Sequence, residues 1–103
     1  MGFKDVRRRA IEALKSGDFE HEARNAIDEK NLFFTGEVSA DYVIELLNRC
    51  RGTQHSSAPH HWDASIEIHV FKPVVMNSGN ETRWYIKLYL IDVTAWFISV
   101  HRS

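Results

Sequence analysis

The last third of the chain carries acid–base side chains at alternate positions of three apolar segments. The segments span residues 64–73, 83–91 and 95–102, and these side chains all have odd numbers: Glu67, His69, Tyr85, Lys87, Tyr89 and His101. Successive side chains of a strand point to opposite faces of a sheet, so an odd-numbered set shares one face. Histidine, lysine and tyrosine can supply the base, cation and acid for metal-free cleavage of a phosphodiester. The spacing therefore predicts a chemical site on one face of a sheet.

Strand pairing predicts that these side chains stay together. A tight hairpin around residues 92–94 predicts three opposed pairs: Tyr89 with Phe97, Lys87 with Ser99, and Tyr85 with His101. Joining the first segment with Pro73 opposite Arg83 also places His69 opposite Lys87, and directly opposed residues share a face. A half-buried sheet face with aromatic cross-strand pairs would give the same pattern without chemistry. Both interpretations remain open at this stage.

The even positions of the same segments are almost all apolar and predict the core face of the sheet. They are Ile66, Ile68, Val70, Trp84, Ile86, Leu88, Leu90, Trp96, Ile98 and Val100. Trp62 precedes the first segment and is also assigned to the core, with an exposed stacking role as the alternative.

The first half of the chain predicts helices. Apolar residues recur at helical spacing over residues 3–16 and, more sparsely, over residues 19–30. A third helix is expected to begin after Ser39, which is a favourable N-cap residue with Val38 and Val43 at hydrophobic-staple positions. Residues 32–34 predict a brief extended segment, and residues 51–61 a polar loop. The order predicts an α+β domain, residues 1–103, with N-terminal helices packed on one face of a C-terminal antiparallel sheet.

Composition limits the function classes. The chain has 103 residues, 44% hydrophobic and 26% charged, with a formal net charge of −1, so it is neither disordered nor strongly basic in type. Cys50 is the single cysteine, which excludes a disulfide framework within the chain. The N-terminus shows no signal-peptide pattern and no apolar run is long enough to span a membrane. We therefore expect a cytoplasmic protein with no membrane association.

A histidine-rich stretch offers a metal-binding interpretation. His60, His61 and Asp63 are close in sequence, but adjacent histidines on extended backbone point apart, and the chain lacks HExxH and CxxC spacing. Solvated loop histidines and substrate-contacting histidines are the alternatives.

Three ordered segments resemble the motility quorum-sensing regulator (MqsR) family of bacterial toxins. They are the FKP step at residues 71–73, WYIKL at 84–88 and AWFISVH at 95–101, and the resemblance spans most of the chain. The resemblance implies a RelE-like mRNA interferase, which cleaves messenger RNA without a metal or cofactor and is neutralised by a cognate antitoxin protein. The family's strand tyrosine falls on Tyr85, and its basic residue near the C-terminus falls on His101.

The leading hypothesis is therefore a metal-independent endoribonuclease of a toxin–antitoxin pair. Its predicted catalytic residues are Tyr85, His101, His69 and Lys87, and its predicted RNA contacts are Arg83, Arg51, Lys72, His60 and His61. Two alternatives belong to other classes: a non-catalytic module whose open aromatic face docks protein or single-stranded nucleic acid, and a metal hydrolase that uses the His60–His61 loop.

Overall fold

A mixed six-stranded sheet carries helices on one face, which confirms the predicted α+β class. The computed structural model describes residues 2–22 and 30–103. The described helices are α1 (Phe3–Ser16), α2 (Leu32–Thr35) and α3 (Ala40–Arg49), followed by a 3₁₀ turn (Gly52–Gln54). The strands are β1 (Phe19–His21), β2 (His55–Pro59), β3 (Glu67–Phe71), β4 (Val74–Asn77), β5 (Asn80–Ile91) and β6 (Thr94–Arg102).

The helices α1 and α3 form where the sequence predicts them. In α1, Val6, Ala10 and Leu14 are buried against the sheet, and the helix ends at Gly17, whose φ of 77° suits glycine. Helix α3 begins after Ser39, whose hydroxyl accepts the backbone N–H of Tyr42 at 3.1 Å. This contact is the predicted N-cap, and it satisfies one of the backbone donors that a helix start leaves unpaired.

The sheet contains more strands than the three that the sequence predicts. Its order is β1-β6-β5-β3-β2, with β4 paired to the first part of β5; β1 runs parallel to β6 and the other pairs are antiparallel. The predicted polar loop at residues 51–61 instead contains the 3₁₀ turn and β2, and the connection after Pro73 contains β4. Residues 32–34 lie in helix α2 and are not extended.

The helix predicted over residues 19–30 is wrong at its start. Residues 19–21 form β1, with Phe19 opposite Ala95 and His21 opposite Phe97. The Phe19 ring lies 4.9 Å from the Phe33 ring, so strand pairing and aromatic packing outweigh the thin apolar stripe of a helix. Most of the remaining predicted helix falls on residues 23–29, which lie outside the described residues.

Strand β3 is shifted by one residue from its predicted register. Val74 rather than Pro73 pairs with Arg83, and Val70 rather than His69 pairs with Lys87. The cause is the two-residue turn between β4 and β5, in which Ser78 and Gly79 have φ values of 52° and 82°, as tight β-hairpins favour. A shift of one residue exchanges the two faces of a strand. Phe71 and His69 therefore face the helices, while Ile68 and Val70 face away from them.

Strand β6 contains a β-bulge that the sequence does not predict. Lys87 pairs with Ser99 as predicted, but Leu88 pairs with Phe97, so Ile98 has no direct partner in the ladder. Tyr89 is then opposite Trp96 instead of the predicted Phe97. The turn after Ile91 is one residue shorter than predicted, which shifts the pairing of Leu88 to Ile91 by one residue. The bulge adds one residue to β6, so from Ser99 onward the pairing is again the predicted one.

Two apolar clusters lie on the two faces of the sheet. The larger one joins the helices to Phe71, Trp84, Ile86, Leu88, Phe97 and Val100. The smaller one, on the face away from the helices, consists of Ile68, Tyr89 and Ile98 with Ile66 and Trp96 packed against them. Trp84, Ile86, Leu88, Ile98 and Val100 are buried as predicted. Trp62 is 72% exposed, so its assignment to the core is wrong.

No helix within residues 2–22 and 30–103 is long and apolar enough to cross a bilayer.

Candidate functional site

The sheet face away from the helices holds a groove of about 240 Å³. Tyr85 and Lys87 of β5 line it together with small and aliphatic residues of β2 and β3, and His61 lies at its border. Lys87 is opposite Val70 on one side and Ser99 on the other, so short side chains flank the lysine. Among the described residues, those lining this groove include one lysine and one histidine and no carboxylate. The groove is therefore suited to an anionic ligand.

Tyr85 and His101 form an aromatic pair beside the groove. They are directly opposed across β5 and β6, and their rings stack 5.0 Å apart at an interplanar angle of 19°. His101 Nδ1 lies 2.9 Å from the carbonyl oxygen of Arg102. Because a carbonyl only accepts, Nδ1 must carry the proton, and Nε2 of the neutral ring keeps its lone pair. His101 is thereby set up to accept a proton through Nε2.

Lys72 adds a second cation near this pair. Its Nζ lies 6.0 Å from the centre of the Tyr85 ring, at the edge of cation–π range. Lys72 lies between β3 and β4, and its backbone N–H donates to the carbonyl oxygen of Gln54 at 2.9 Å. The structure therefore brings together four of the predicted site residues: Tyr85, His101, Lys87 and Lys72.

His69 does not belong to this group. The shifted register of β3 places it opposite Leu88, where it is 2% exposed. Its Nε2 lies 3.1 Å from Glu67 Oε1, and its Nδ1 lies 3.0 Å from Nε2 of His55. In the neutral rings, His69 Nε2–H donates to the carboxylate and His55 Nε2–H donates to His69. The predicted placement of His69 beside Lys87 is wrong.

Burial governs the protonation of this histidine pair. It lowers the pKa of His69 below its ordinary value, although the Glu67 carboxylate opposes that shift. Burial also lowers the pKa of His55, again against an opposing effect of Glu67. Both rings are consequently held in the neutral form around pH 7.

His60 is buried, whereas its neighbour His61 is exposed. His60 Nε2 lies 2.9 Å from Glu22 Oε1, and the Tyr89 hydroxyl donates to the same oxygen at 3.0 Å. The backbone N–H of Trp62 donates to His60 Nδ1 at 3.1 Å, so the proton of the neutral ring is on Nε2. Of the two histidines, His61 alone borders the groove, and His60 holds the loop in place.

The two predicted arginine contacts lie outside the groove lining. Arg83 is at the β4–β5 hairpin, where its Nε lies 2.9 Å from Glu81 Oε2. Arg51 follows α3, and its backbone N–H donates to Gln54 Oε1 at 2.8 Å. Both residues are exposed.

Sequence reasoning missed Glu22 and His55. Glu22 fell inside a predicted helix, and its contact with His60 joins residues that are 38 positions apart. His55 fell inside a predicted loop, although its position opposite Phe71 makes it part of the sheet. Alternation of apolar and polar residues does not reveal a strand at residues 55–59, because the segment is short and mostly polar.

The described part of the chain contains no group of three or more His, Cys, Asp or Glu side chains placed to hold a metal ion. His60 and His61 have parallel rings 5.4 Å apart, and His60 already contacts Glu22. No protein-family model matches the chain, and no significant match exists among curated proteins.

Proposed function

We propose that this protein is a metal-independent endoribonuclease of the toxin type, acting on RNA in the groove beside Tyr85, Lys87 and His101. The observation that carries the proposal is the fixed tautomer of His101. The Nδ1–H bond to the Arg102 carbonyl leaves Nε2 as a proton acceptor in the ring stacked on Tyr85. The adjacent groove contains a lysine and, among its described lining residues, no carboxylate. The sequence resemblance to the MqsR toxins supports the same reaction.

The reaction requires three roles that these side chains can fill. His101 Nε2 takes the proton of the 2′-hydroxyl as the 2′-oxygen forms a bond to phosphorus. The Lys87 ammonium stabilises the added negative charge of the phosphorane. The bond from phosphorus to the 5′-oxygen then breaks, and the Tyr85 hydroxyl donates its proton to that oxygen. The products are a 2′,3′-cyclic phosphate and a 5′-hydroxyl end.

Incubation of the purified protein with a single-stranded RNA oligonucleotide in EDTA tests this proposal directly. We expect new 2′,3′-cyclic phosphate ends, and no cleavage of the matching DNA, which lacks the 2′-hydroxyl. Binding without new ends would instead establish a non-catalytic binding module. Cleavage that EDTA abolishes and zinc restores would place the activity at the His60–His61 loop.

The biological setting follows from the same proposal. A messenger RNA interferase acts on cytoplasmic RNA and requires a cognate antitoxin protein to restrain it. Co-expression with the product of an adjacent reading frame tests this part: we expect that product to restore growth and to co-purify with the chain. Growth arrest that the neighbouring product does not relieve would separate the nuclease from a toxin–antitoxin pair.

A further inference from the structure

The loop between β2 and β3 carries an exposed tryptophan on a backbone that is held by hydrogen bonds. Trp62 is 72% exposed, and its ring lies 4.6 Å from the His61 ring. The loop is closed by two backbone bonds, from His60 N–H to the Ile66 carbonyl at 2.8 Å and from Ile66 N–H to the Asp63 carbonyl at 3.0 Å. Asp63 in turn accepts the hydroxyl and the backbone N–H of Ser65. A large aromatic side chain is thus exposed on an ordered support.

A buried polar contact anchors this support to the sheet. His60 is 5% exposed, donates to the Glu22 carboxylate and accepts the backbone N–H of Trp62. The Tyr89 hydroxyl donates to the same carboxylate, which links the loop to β5. Each polar atom of the His60 ring therefore has a partner, and one of those partners is the backbone of Trp62 itself.

The exposed tryptophan lies at the border of the proposed RNA site. His61 lines the groove that contains Lys87, and the centre of the Trp62 ring lies 4.6 Å from the centre of the His61 ring. A groove with a cation and no described carboxylate in its lining, bordered by an exposed aromatic ring, is the arrangement that single-stranded nucleic acids use. The cation binds the phosphate and the ring stacks on a base.

We propose that Trp62 is a base-stacking platform for a nucleotide of single-stranded RNA whose phosphate is bound at Lys87, and that His60 is a positioning residue for it. The inference rests on the proposed function for the identity of the ligand, but it assigns a binding role that does not require cleavage. Stacking does not depend on base edges, so the platform accepts any base, with a preference for the larger purine rings.

The test uses a single-stranded oligonucleotide with 2′-O-methyl groups, which the proposed reaction cannot cleave. Affinity is measured in every variant by the fluorescence anisotropy of a dye-labelled oligonucleotide, which does not depend on any tryptophan. Tryptophan emission is followed in addition in the wild type, because Trp84 is buried and Trp62 is the most exposed tryptophan. We expect quenching in the wild type, binding about ten-fold weaker in Trp62→Ala, and nearly unchanged binding in Trp62→Tyr. Val93→Ala is the matched control, since Val93 has the same 72% exposure but lies at the β5–β6 turn.

An oligonucleotide with abasic sites provides the complementary arm. It should bind the wild type about as weakly as the intact oligonucleotide binds Trp62→Ala. Equal affinity of wild type and Trp62→Ala, or quenching that an abasic strand reproduces, would overturn the platform. Absence of any oligonucleotide binding would overturn both the platform and the proposed function.

The two proposals can fail separately. Binding that depends on Trp62, together with no cleavage of unmodified RNA, retains the platform and removes the nuclease. Cleavage of unmodified RNA, together with an affinity that does not depend on Trp62, retains the nuclease and removes the platform.

The role of His60 is tested by a double-mutant cycle. His60→Ala should weaken binding in the wild-type background and have no further effect in the Trp62→Ala background. Circular dichroism at the assay temperature establishes that each variant is folded. Equal effects of His60→Ala in the two backgrounds would assign the residue a general structural role and overturn the positioning role.

Discussion

At the residue scale, the hydrogen-bond partner of each histidine defines what that histidine can do. His101 donates through Nδ1 to a carbonyl, whereas His60 accepts through Nδ1 from a backbone N–H, so the two rings carry opposite tautomers. His101 is left with a basic nitrogen beside the groove. His60 has both nitrogens engaged in the protein, which suits a structural support.

Removal of the two proposed proton-transfer groups should abolish most RNA cleavage without unfolding the chain. Tyr85 and His101 are partly exposed on the open face, and neither belongs to the two buried clusters. We expect Tyr85→Phe and His101→Ala each to reduce the cleavage rate by about 10²-fold. Tyr42→Phe is the control, because Tyr42 packs against Trp84 on the helix side. Wild-type rates in both test variants would remove this pair from the mechanism.

Three histidines, of which His69 is buried and His21 and His55 are half-buried, should make the fold sensitive to mild acid. Burial lowers the pKa of His21, His55 and His69 in the native state. The unfolded chain therefore binds more protons below the ordinary value of about 6.5, so the stability present above that pH is lost as the pH falls toward the native pKa values. We expect denaturant unfolding to show a lower free energy at pH 5.5 than at pH 7.5, with a smaller difference in His69→Gln. Equal stability at the two pH values would contradict the neutral, buried state of these rings.

At the element scale, the β4–β5 turn determines which side chains of β3 reach the groove. Gly79 has a φ of 82°, and a Cβ added there would have no atom within 4 Å. An alanine at this position would therefore strain the backbone but would not clash with other atoms. We expect Gly79→Ala to lower the free energy of unfolding by about 1 kcal/mol. Gly2→Ala is the matched control, because its Cβ also has open space and its φ is −78°. A loss of equal size in both variants, measured by chemical denaturation, would show that the turn conformation is not the cause.

The helix-facing side of the sheet should tolerate little loss of volume. Leu88 is fully buried between the helices and the sheet, opposite Phe97. We expect Leu88→Ala to cost about 2–5 kcal/mol of unfolding free energy. Val93→Ala, at an exposed turn, should cost less than about 0.5 kcal/mol. A loss below about 1 kcal/mol for Leu88→Ala would contradict its place in the core.

Local sequence signals predicted some elements well and others poorly, for physical reasons. The bounds of α1 and the cap of α3 follow from apolar spacing and from Ser39, which are local features. The predicted register of β3 was wrong because apolar residues of β3 are buried on both faces of the sheet, Phe71 toward the helices and Ile68 away from them, so alternation did not mark the helix-facing side. The turn at Ser78 and Gly79, which sets the register, was not predicted. The pairs of Tyr85 with His101 and Lys87 with Ser99 survived because the bulge compensates for the shorter turn.

At the scale of the whole molecule, contacts between distant segments complete both the fold and the site. Strand β1 pairs with β6 across more than seventy residues, and Glu22 then reaches His60 and Tyr89. No local pattern encodes these contacts, so the parallel edge strand and the anchored loop were missed. The predicted acid–base face was recovered in part because β5 and β6 are adjacent in sequence.

The charge distribution predicts weak but measurable salt dependence of RNA binding. The net charge is −1, so the whole molecule does not attract RNA, and we assign the local attraction to Lys87 and Lys72, which lie at or near the groove. Two phosphate contacts give a slope of about −1.4 for the logarithm of the binding constant against the logarithm of salt concentration. We expect Lys87→Gln to reduce the magnitude of that slope by about 0.7, whereas Lys15→Gln, at the exposed end of α1, leaves it unchanged. A slope that both variants alter equally would indicate diffuse attraction and not a phosphate bound at Lys87.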